Sequence, residues 1–312
     1  MNEKLIKLED LHRFDNLEIL ARQVVEGTII GLHKSPFHGF SAEFAEHRLW
    51  NQGDPVKSID WKVYGRTDKL FIKRFEEETN LRCRLVIDVS SSMNFPLDEE
   101  SERLVPYNKL GFSIASAACF MHIFRKQRDA VSLSAFGSEV EVHTKAKSTT
   151  VHHNLLMSKL QHFLERNQQK VETGQAACLH EIAENTHRRS LVIVFSDMMS
   201  TRESEEELFG ALQHLRHNKH EVIMFHVIDK RLEVEFEYDN RPYHFIDLES
   251  GEEVKLESNR IKKEYKQKME QRFTDFRVRC AQYRIDFVAA DINQDFTQIL
   301  LPYLAKRGKM RS

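Results

Sequence analysis

Cysteine is scarce in this chain and never paired in a metal-binding spacing. Cys83, Cys119, Cys178 and Cys280 stand far apart with no CxxC among them, which argues against a zinc site or a disulfide framework and fits a reducing compartment. They read as core thiols. Neither sign of charge dominates: 46 Lys and Arg stand against 48 Asp and Glu, so no global field favours polyanions or anionic membranes, and nucleic acid is not an expected partner. No secretory leader is expected either, since the opening MNEKLIKLEDLHRFDNLEI is charged and amphipathic. The longest weakly polar stretch, Leu110 to Phe124, carries Ser113 and Ser116 and falls short of the roughly 20 apolar residues of a bilayer-spanning helix. The expectation is a cytoplasmic chain without a membrane span. GxxxxGK[ST], GxSxG and HExxH are all absent, which removes the common ATPase, hydrolase and metallopeptidase motifs. There is no internal repeat and no low-complexity linker.

What is present is an alternation. Short β-rich runs occur at Arg82 to Asp88, Ala130 to Phe136, Ser190 to Asp197, Glu221 to Asp229 and Arg284 to Asp291, apolar enough to be parallel strands covered on both faces. Helical patterns lie between them at Tyr107 to Gln127, Thr150 to Arg166, Ala176 to Arg188, Ser204 to His217 and Ser258 to Tyr283. Strand and helix in turn predict an α/β fold with a doubly wound, mainly parallel sheet. With 312 residues and 41% hydrophobic content, one large core plus an appendage is affordable. Turn signals at Asp239-Asn240 and Ser250-Gly251 predict a small hairpin insertion near residues 232–256. Residues 1–80 differ, being charged and irregular with Gly27, Gly31, Gly39, Gly53 and Pro55; they predict a helix and a partly β layer packed on the main domain of residues 81–305. Residues 306–312 read as a solvated basic tail.

The chemistry concentrates at two strand ends. DVSSS, Asp88 to Ser92, follows an apolar strand directly, so its polar groups emerge at the C-terminal edge where open α/β sheets bind ligands. A carboxylate followed by alternate hydroxyls offers hard oxygen ligands suited to Mg²⁺. Asp197 ends another strand. If the two strands are neighbours at the point where strand order reverses, Asp88 and Asp197 face one crevice, and a divalent ion relieves their repulsion. Asp or Ser after a strand also serves simply to cap the next helix; both motifs at corresponding strand ends favour the metal.

These residues carry a resemblance. DVSSS resembles the DxSxS metal-ion-dependent adhesion site of von Willebrand factor A domains, with Asp88, Ser90 and Ser92 on the matching positions. Thr173, in VETGQAACLHEIAE, and Asp197, in FSDMM, match that family's threonine and second aspartate. The chain departs from the pattern where Ser91 and Met198 stand in place of common glycines. The segment from Gly31 to Thr79, GLHKSPFHGFSAEFAEHRLWNQGDPVKSIDWKVYGRTDKLFIKRFEEET, resembles the signature of the bacterial domain-of-unknown-function family 58, whose members join it to such an A-like domain. The resemblance implies a von Willebrand factor A-like, Rossmann-type fold and one Mg²⁺, with Mn²⁺ an alternative, held by Asp88, Ser90, Ser92, Thr173 and Asp197. It further implies a protein partner whose carboxylate fills the open position: a MoxR-type AAA+ ATPase or its client, in chaperone or assembly work. No enzymatic activity is expected.

Two other functions compete. A Mg²⁺-dependent phosphohydrolase would use Asp88 as nucleophile, but the haloacid-dehalogenase pattern places a second acid where Ser90 stands, and no lysine or general base is evident in the nearby loops. A scaffold with an empty metal site is the third reading. His214, His217 and His220 close a helix where cations suit the dipole; His33, His38, His152 and His153 lack ligand spacing. In the first eighty residues, Glu43, Glu46, Arg48, Asp54, Asp60, Lys62, Arg66, Lys73 and Glu76 to Glu78 read as an ion-pair network or a docking surface. Trp50 and Trp61 are expected to bury.

Overall fold

Strands apolar on both sides need cover on both sides, and that requirement shapes the molecule. The computed structural model describes residues 17–33, 47–49, 61–73, 81–97, 108–165, 174–199, 205–239 and 241–311. They fall into two compact units, one of Met1–Ile29 with Leu81–Ser312 and one of Ile30–Asn80. The first described element is α1 (Leu17–His33), whose Leu17, Leu20, Ala21 and Val25 are buried at helical spacing. In the smaller unit, β1 (His47–Leu49) pairs antiparallel with β2 (Phe71–Lys73), and α2 (Trp61–Thr67) lies between them in sequence. Trp61 is 57% exposed and meets Tyr64 edge-on, contrary to the expectation that it buries. Trp50 and Glu43, Glu46, Asp54, Asp60 and Glu76 to Glu78 lie outside the described residues.

The larger unit runs β3 (Arg82–Asp88), α3 (Lys109–Lys126), β4 (Ala130–Phe136), β5 (Val140–His143), α4 (Thr150–Glu165), α5 (Gln175–Asn185) and β6 (Leu191–Ser196). It continues through α6 (Glu205–His217), β7 (Glu221–Ile228), β8 (Pro242–Ile246), β9 (Glu253–Glu257), α7 (Ser258–Gln282), β10 (Asp286–Asp291) and α8 (Thr297–Arg311). Six strands form one sheet in the order β10-β7-β6-β3-β4-β5, parallel except for the β4–β5 pair. The fold is therefore α/β, with a mixed, mostly parallel sheet flanked by helices. Every residue of β6, and every residue of β3 after Arg82, is buried. α3 is buried from Lys109 through Phe124, and Phe120 packs on Phe195 and Phe225 of the sheet and on Tyr303 of α8. Among the described residues no helix is long and apolar enough to cross a membrane.

Three features depart from, or refine, the sequence reading. β5 is a four-residue edge strand with alternating burial, too short for its periodicity to register. The expected hairpin pairs β8 with β9 after a π-helical turn at Lys230–Val234, and the rings of Phe236, Tyr238, Tyr243 and Phe245 cluster there, mostly edge-on or tilted. The expected basic tail is the last turns of α8: Arg307 binds the Asp129 carboxylate at 2.9 and 3.1 Å, and Lys306 reaches Glu221 at 2.8 Å. Those acidic partners lie far away in sequence, so the run of charge alone read as solvated.

Candidate metal centre

Register assembles the site. β3 lies between β4 and β6, with Ile87 opposite Phe195, so Asp88 and the pair Ser196-Asp197 leave the sheet side by side. The strand that follows β3 in sequence lies on one side of it, and β6 lies on the other. Strand order thus reverses at β3, and the divergence of the connections opens a crevice at the C-terminal edge. Val89 N–H donates to Phe136 O at 2.8 Å, which carries the ladder one residue past Asp88. A 3-10 turn, Ser91–Asn94, follows.

Asp88 is a buried hub. Its Oδ1 accepts the Ser90 backbone N–H at 3.0 Å and the Ser90 hydroxyl at 2.6 Å; its Oδ2 accepts the Ser196 hydroxyl at 2.6 Å and Gln175 Nε2 at 3.1 Å. Ser90 Oγ stands 3.1 Å from Ser92 Oγ, and the Ser92 hydroxyl bonds the Asp197 carboxylate. Asp197 Oδ1 accepts Met199 N–H at 3.0 Å, while its Oδ2 takes Lys109 Nζ at 2.7 Å. Lys109 Nζ also meets Glu233 Oε1 at 2.6 Å. Asp88, Ser90, Ser92 and Asp197 are therefore one connected network. Thr173 lies outside the described residues. Its neighbour Gly174 begins α5, and its N–H donates to Gly137 O at 3.1 Å. A Cβ there would stand 2.9 Å from Ser138 O, so only glycine permits this approach.

Burial and charge set the protonation states. Burial, reinforced by the Asp197 charge, pushes the Asp88 carboxyl up to about 7. Burial also acts to raise Asp197, but the Lys109 ammonium and its hydrogen bond outweigh that and hold it below the usual carboxylate range. Burial raises Glu233 despite the opposing pull of Lys109. Burial acts to lower Lys109, yet Asp197 and Glu233 together raise it. Asp197 is thus ionised and paired, whereas Asp88 has hydroxyl, amide and N–H partners but, among the described residues, no cation.

The donor chemistry fits a hard divalent ion. Each serine hydroxyl has one proton and a carboxylate beside it, so the 3.1 Å Ser90–Ser92 contact either forgoes one of those bonds or sets two lone pairs face to face. A proton on Asp88, whose carboxyl burial pushes up to about 7, or a cation relieves that conflict. Gln175 Oε1 is buried with no hydrogen-bond partner among the described residues, one further oxygen in the same crevice. Among the described residues no group of three or more His, Cys, Asp or Glu is placed to hold a metal, so a cation here relies on two carboxylates and on hydroxyls. The departures from glycine are accommodated. Met198 adopts φ 51° with its side chain buried, a left-handed conformation that explains why glycine suits the position. Ser91 sits in the 3-10 turn, outside the positive-φ positions.

Sequence reasoning missed Lys109, Glu233, Gln175 and Ser196. It expected no lysine near Asp88; the structure puts one on Asp197. One signal was available, because Lys109 opens an otherwise apolar helix at the end where the helix dipole opposes a cation. Nothing local marked Glu233. The histidines serve elsewhere: His220 is buried and accepts Ser190 N–H, His152 meets Val131 O, and His214 faces His180 at an exposed 3.0 Å contact.

A family model described as "Protein of unknown function DUF58" matches residues 46–274. Uncharacterized proteins Rv1480 of Mycobacterium tuberculosis and Mb1516 of Mycobacterium bovis are each 33% identical over 79 residues, 25% of this chain and 25% of theirs. The match thus spans about a quarter of the length of these curated relatives. Among solved structures, the conserved hypothetical protein BatB from Bacteroides thetaiotaomicron is 15% identical with a TM-score of 0.41, covering 73% of this chain and 99% of that one. An aerotolerance-related membrane protein from Bacteroides fragilis is 14% identical with a TM-score of 0.39, covering 72% and 99%.

Proposed function

The chain belongs to the DUF58 family, and from that premise we propose that its Asp88–Asp197 centre is a von Willebrand factor A-like adhesion site that holds one Mg²⁺, or Mn²⁺, for a partner's carboxylate. The observation that carries the reading is the unbroken network from Asp88 through Ser90 and Ser92 to Asp197 at adjacent strand ends. Asp88, Ser90, Ser92, Asp197 and Thr173 would hold the ion, which when bound supplies a Lewis-acid position for an incoming Asp or Glu side chain. The residues themselves orient that position: Ser196 and Gln175 fix the Asp88 carboxylate from behind, and half-buried Ser92 lies on the side toward solvent. The expected partner is a cytoplasmic MoxR-type AAA+ ATPase or its client, and the chain is a binding module without turnover. The test is pulldown from native lysate with Mg²⁺ or with chelator, for wild type and for Ser90→Ala with Ser92→Ala. Capture of such an ATPase that both treatments abolish is expected. Capture unchanged by either would place the docking surface elsewhere.

Lys109 gives a second reading, the phosphohydrolase, one supporting observation, since a buried lysine near a strand-end aspartate suits phosphoryl chemistry. It pairs with Asp197 and Glu233 rather than with Asp88. No turnover of a generic phosphoester is expected. Hydrolysis that disappears in Asp88→Asn would overturn the binding-module reading.

A further inference from the structure

The larger unit places one ammonium in the crevice against two separate preferences. Lys109 is 1% exposed, and burying a charge is unfavourable unless it is paired. It also occupies the first turn of α3, which has no acidic residue, where the positive end of the helix dipole repels it. What holds it there is a pair of short bonds, 2.7 Å to Asp197 Oδ2 and 2.6 Å to Glu233 Oε1, with the Phe95 ring 5.7 Å below. The carboxylate that a divalent ion would share with Asp88 is thus already bound to a cation belonging to the chain.

We propose that Lys109 is the resident cation of this centre and sets its affinity for metal: a divalent ion binds at Asp88, Ser90 and Ser92 only against the charge of the ammonium on Asp197. Glu233 completes the device. An ammonium that gives up Asp197 to an arriving ion keeps its 2.6 Å bond to Glu233, so the exchange needs no unpaired buried charge. Lys109 is a positioning residue for the metal and not one of its ligands. The inference rests on the metal reading above, and it fixes a sign that a merely structural role for Lys109 does not share. Loss of a structural lysine would loosen the site and weaken metal binding; loss of a competing cation strengthens it.

The experiment titrates Mn²⁺ into chelator-stripped full-length protein, read by calorimetry and by the electron paramagnetic resonance of free Mn²⁺. Wild type is compared with Lys109→Gln, which keeps a polar donor without the charge, with Lys109→Met, and with Lys126→Gln as an exposed control. Both Lys109 variants are expected to bind at least tenfold more tightly than wild type, and Lys126→Gln within twofold of it. Should a Lys109 variant be unfolded in chelator, folding by Mn²⁺ followed by circular dichroism supports the proposal and absence of such rescue overturns it. Wild type that binds no Mn²⁺ beside variants that do would support the resident cation and remove the metal from wild-type function. Equal or weaker binding by folded Lys109 variants overturns this inference alone. Silence from every protein overturns it together with the metal reading.

Discussion

Asp229 and Asp291, at the ends of β7 and β10, share the sheet edge with Asp88 and Asp197 but are wrapped in uncharged donors. Asp291 Oδ1 accepts Lys230 N–H and Asn293 N–H, and Asn293 Nδ2 bridges the two carboxylates at 2.9 and 3.0 Å. Asp229 also caps the π-helical turn through Leu232 N–H at 3.2 Å. Backbone and amide groups finish that pair. At β3 and β6, by contrast, the pair is joined by two serines and leans on a buried ammonium. An acid at a strand end is therefore not in itself a cation site; what sets this pair apart is the two serines that join it and the ammonium already drawn to Asp197.

The comparison breaks most visibly at Lys109. Removing one partner of a buried ion pair typically costs about 3–5 kcal/mol, and Lys109→Ala is expected to lose that much by urea denaturation in chelator. A loss under about 1 kcal/mol, as surface pairs give, would show that the ammonium is solvated in solution.

The next effect is a pH dependence. His226 donates from Nε2 to Asp197 O at 2.7 Å, and burial pushes its imidazolium down to about 4. The unfolded value is near 6.5. The unfolded chain therefore binds the extra proton between pH 4 and 6.5, so this contribution to stability is complete above 6.5 and is lost as pH falls toward 4. Wild type minus His226→Gln isolates it, and the difference should change by up to about 3 kcal/mol across that window. A flat difference would show that His226 titrates alike in both states.

A smaller cost is expected on the other side of the comparison. Asp291→Ala strands the N–H groups of Lys230 and Asn293, which is worth about 1–3 kcal/mol. Because neutral donors complete that pair, added Mn²⁺ should leave this cost unchanged. Stabilisation of wild type by Mn²⁺ that vanished in Asp291→Ala would move the candidate site to β10.

How much of this was legible in sequence depends on range. β3, β4, β7 and α7 were readable within two residues because an apolar run or a helical period is local. Asp88, Ser90, Ser92 and Asp197 were readable as strand-end oxygens, and the structure brings them together. Lys109 and Glu233 are separated by 124 positions, and no local pattern ties a helix-opening lysine to an acid in a turn after β7. The four-residue β5 and the Arg307–Asp129 bond failed for the same reason: their meaning lies in a partner far along the chain.

The smallest effect is the sharpest test of the contrast. Asp88→Asn keeps an oxygen to accept the Ser90 N–H and hydroxyl, and its new NH₂ faces Ser196 Oγ, which can accept, and Gln175. The Gln175 amide now donates to Asp88, but its Oε1 has no partner among the described residues, so turning that amide over presents an acceptor to the new donor. The bonds to Ser90 and Ser196 therefore survive, with the 3.3 Å bond from Gln175 Nε2 to Met199 O given up, while the charge beside Asp197 is removed. Because burial and Asp197 push the Asp88 carboxyl up to about 7, from an unfolded value near 3.9, its ionisation weighs against the fold increasingly as pH rises between those values. In chelator at pH 8, Asp88→Asn should be neutral or more stable than wild type, with the difference moving in favour of wild type as pH falls toward 4. In millimolar Mn²⁺ the order should invert, since only wild type gains from the ion. The same exchange at Asp291 should show neither the pH trend nor the inversion. An Asp88→Asn protein less stable than wild type in chelator at pH 8 would mean that the carboxylate is as fully satisfied as Asp291, and the distinction between the two edges would fall.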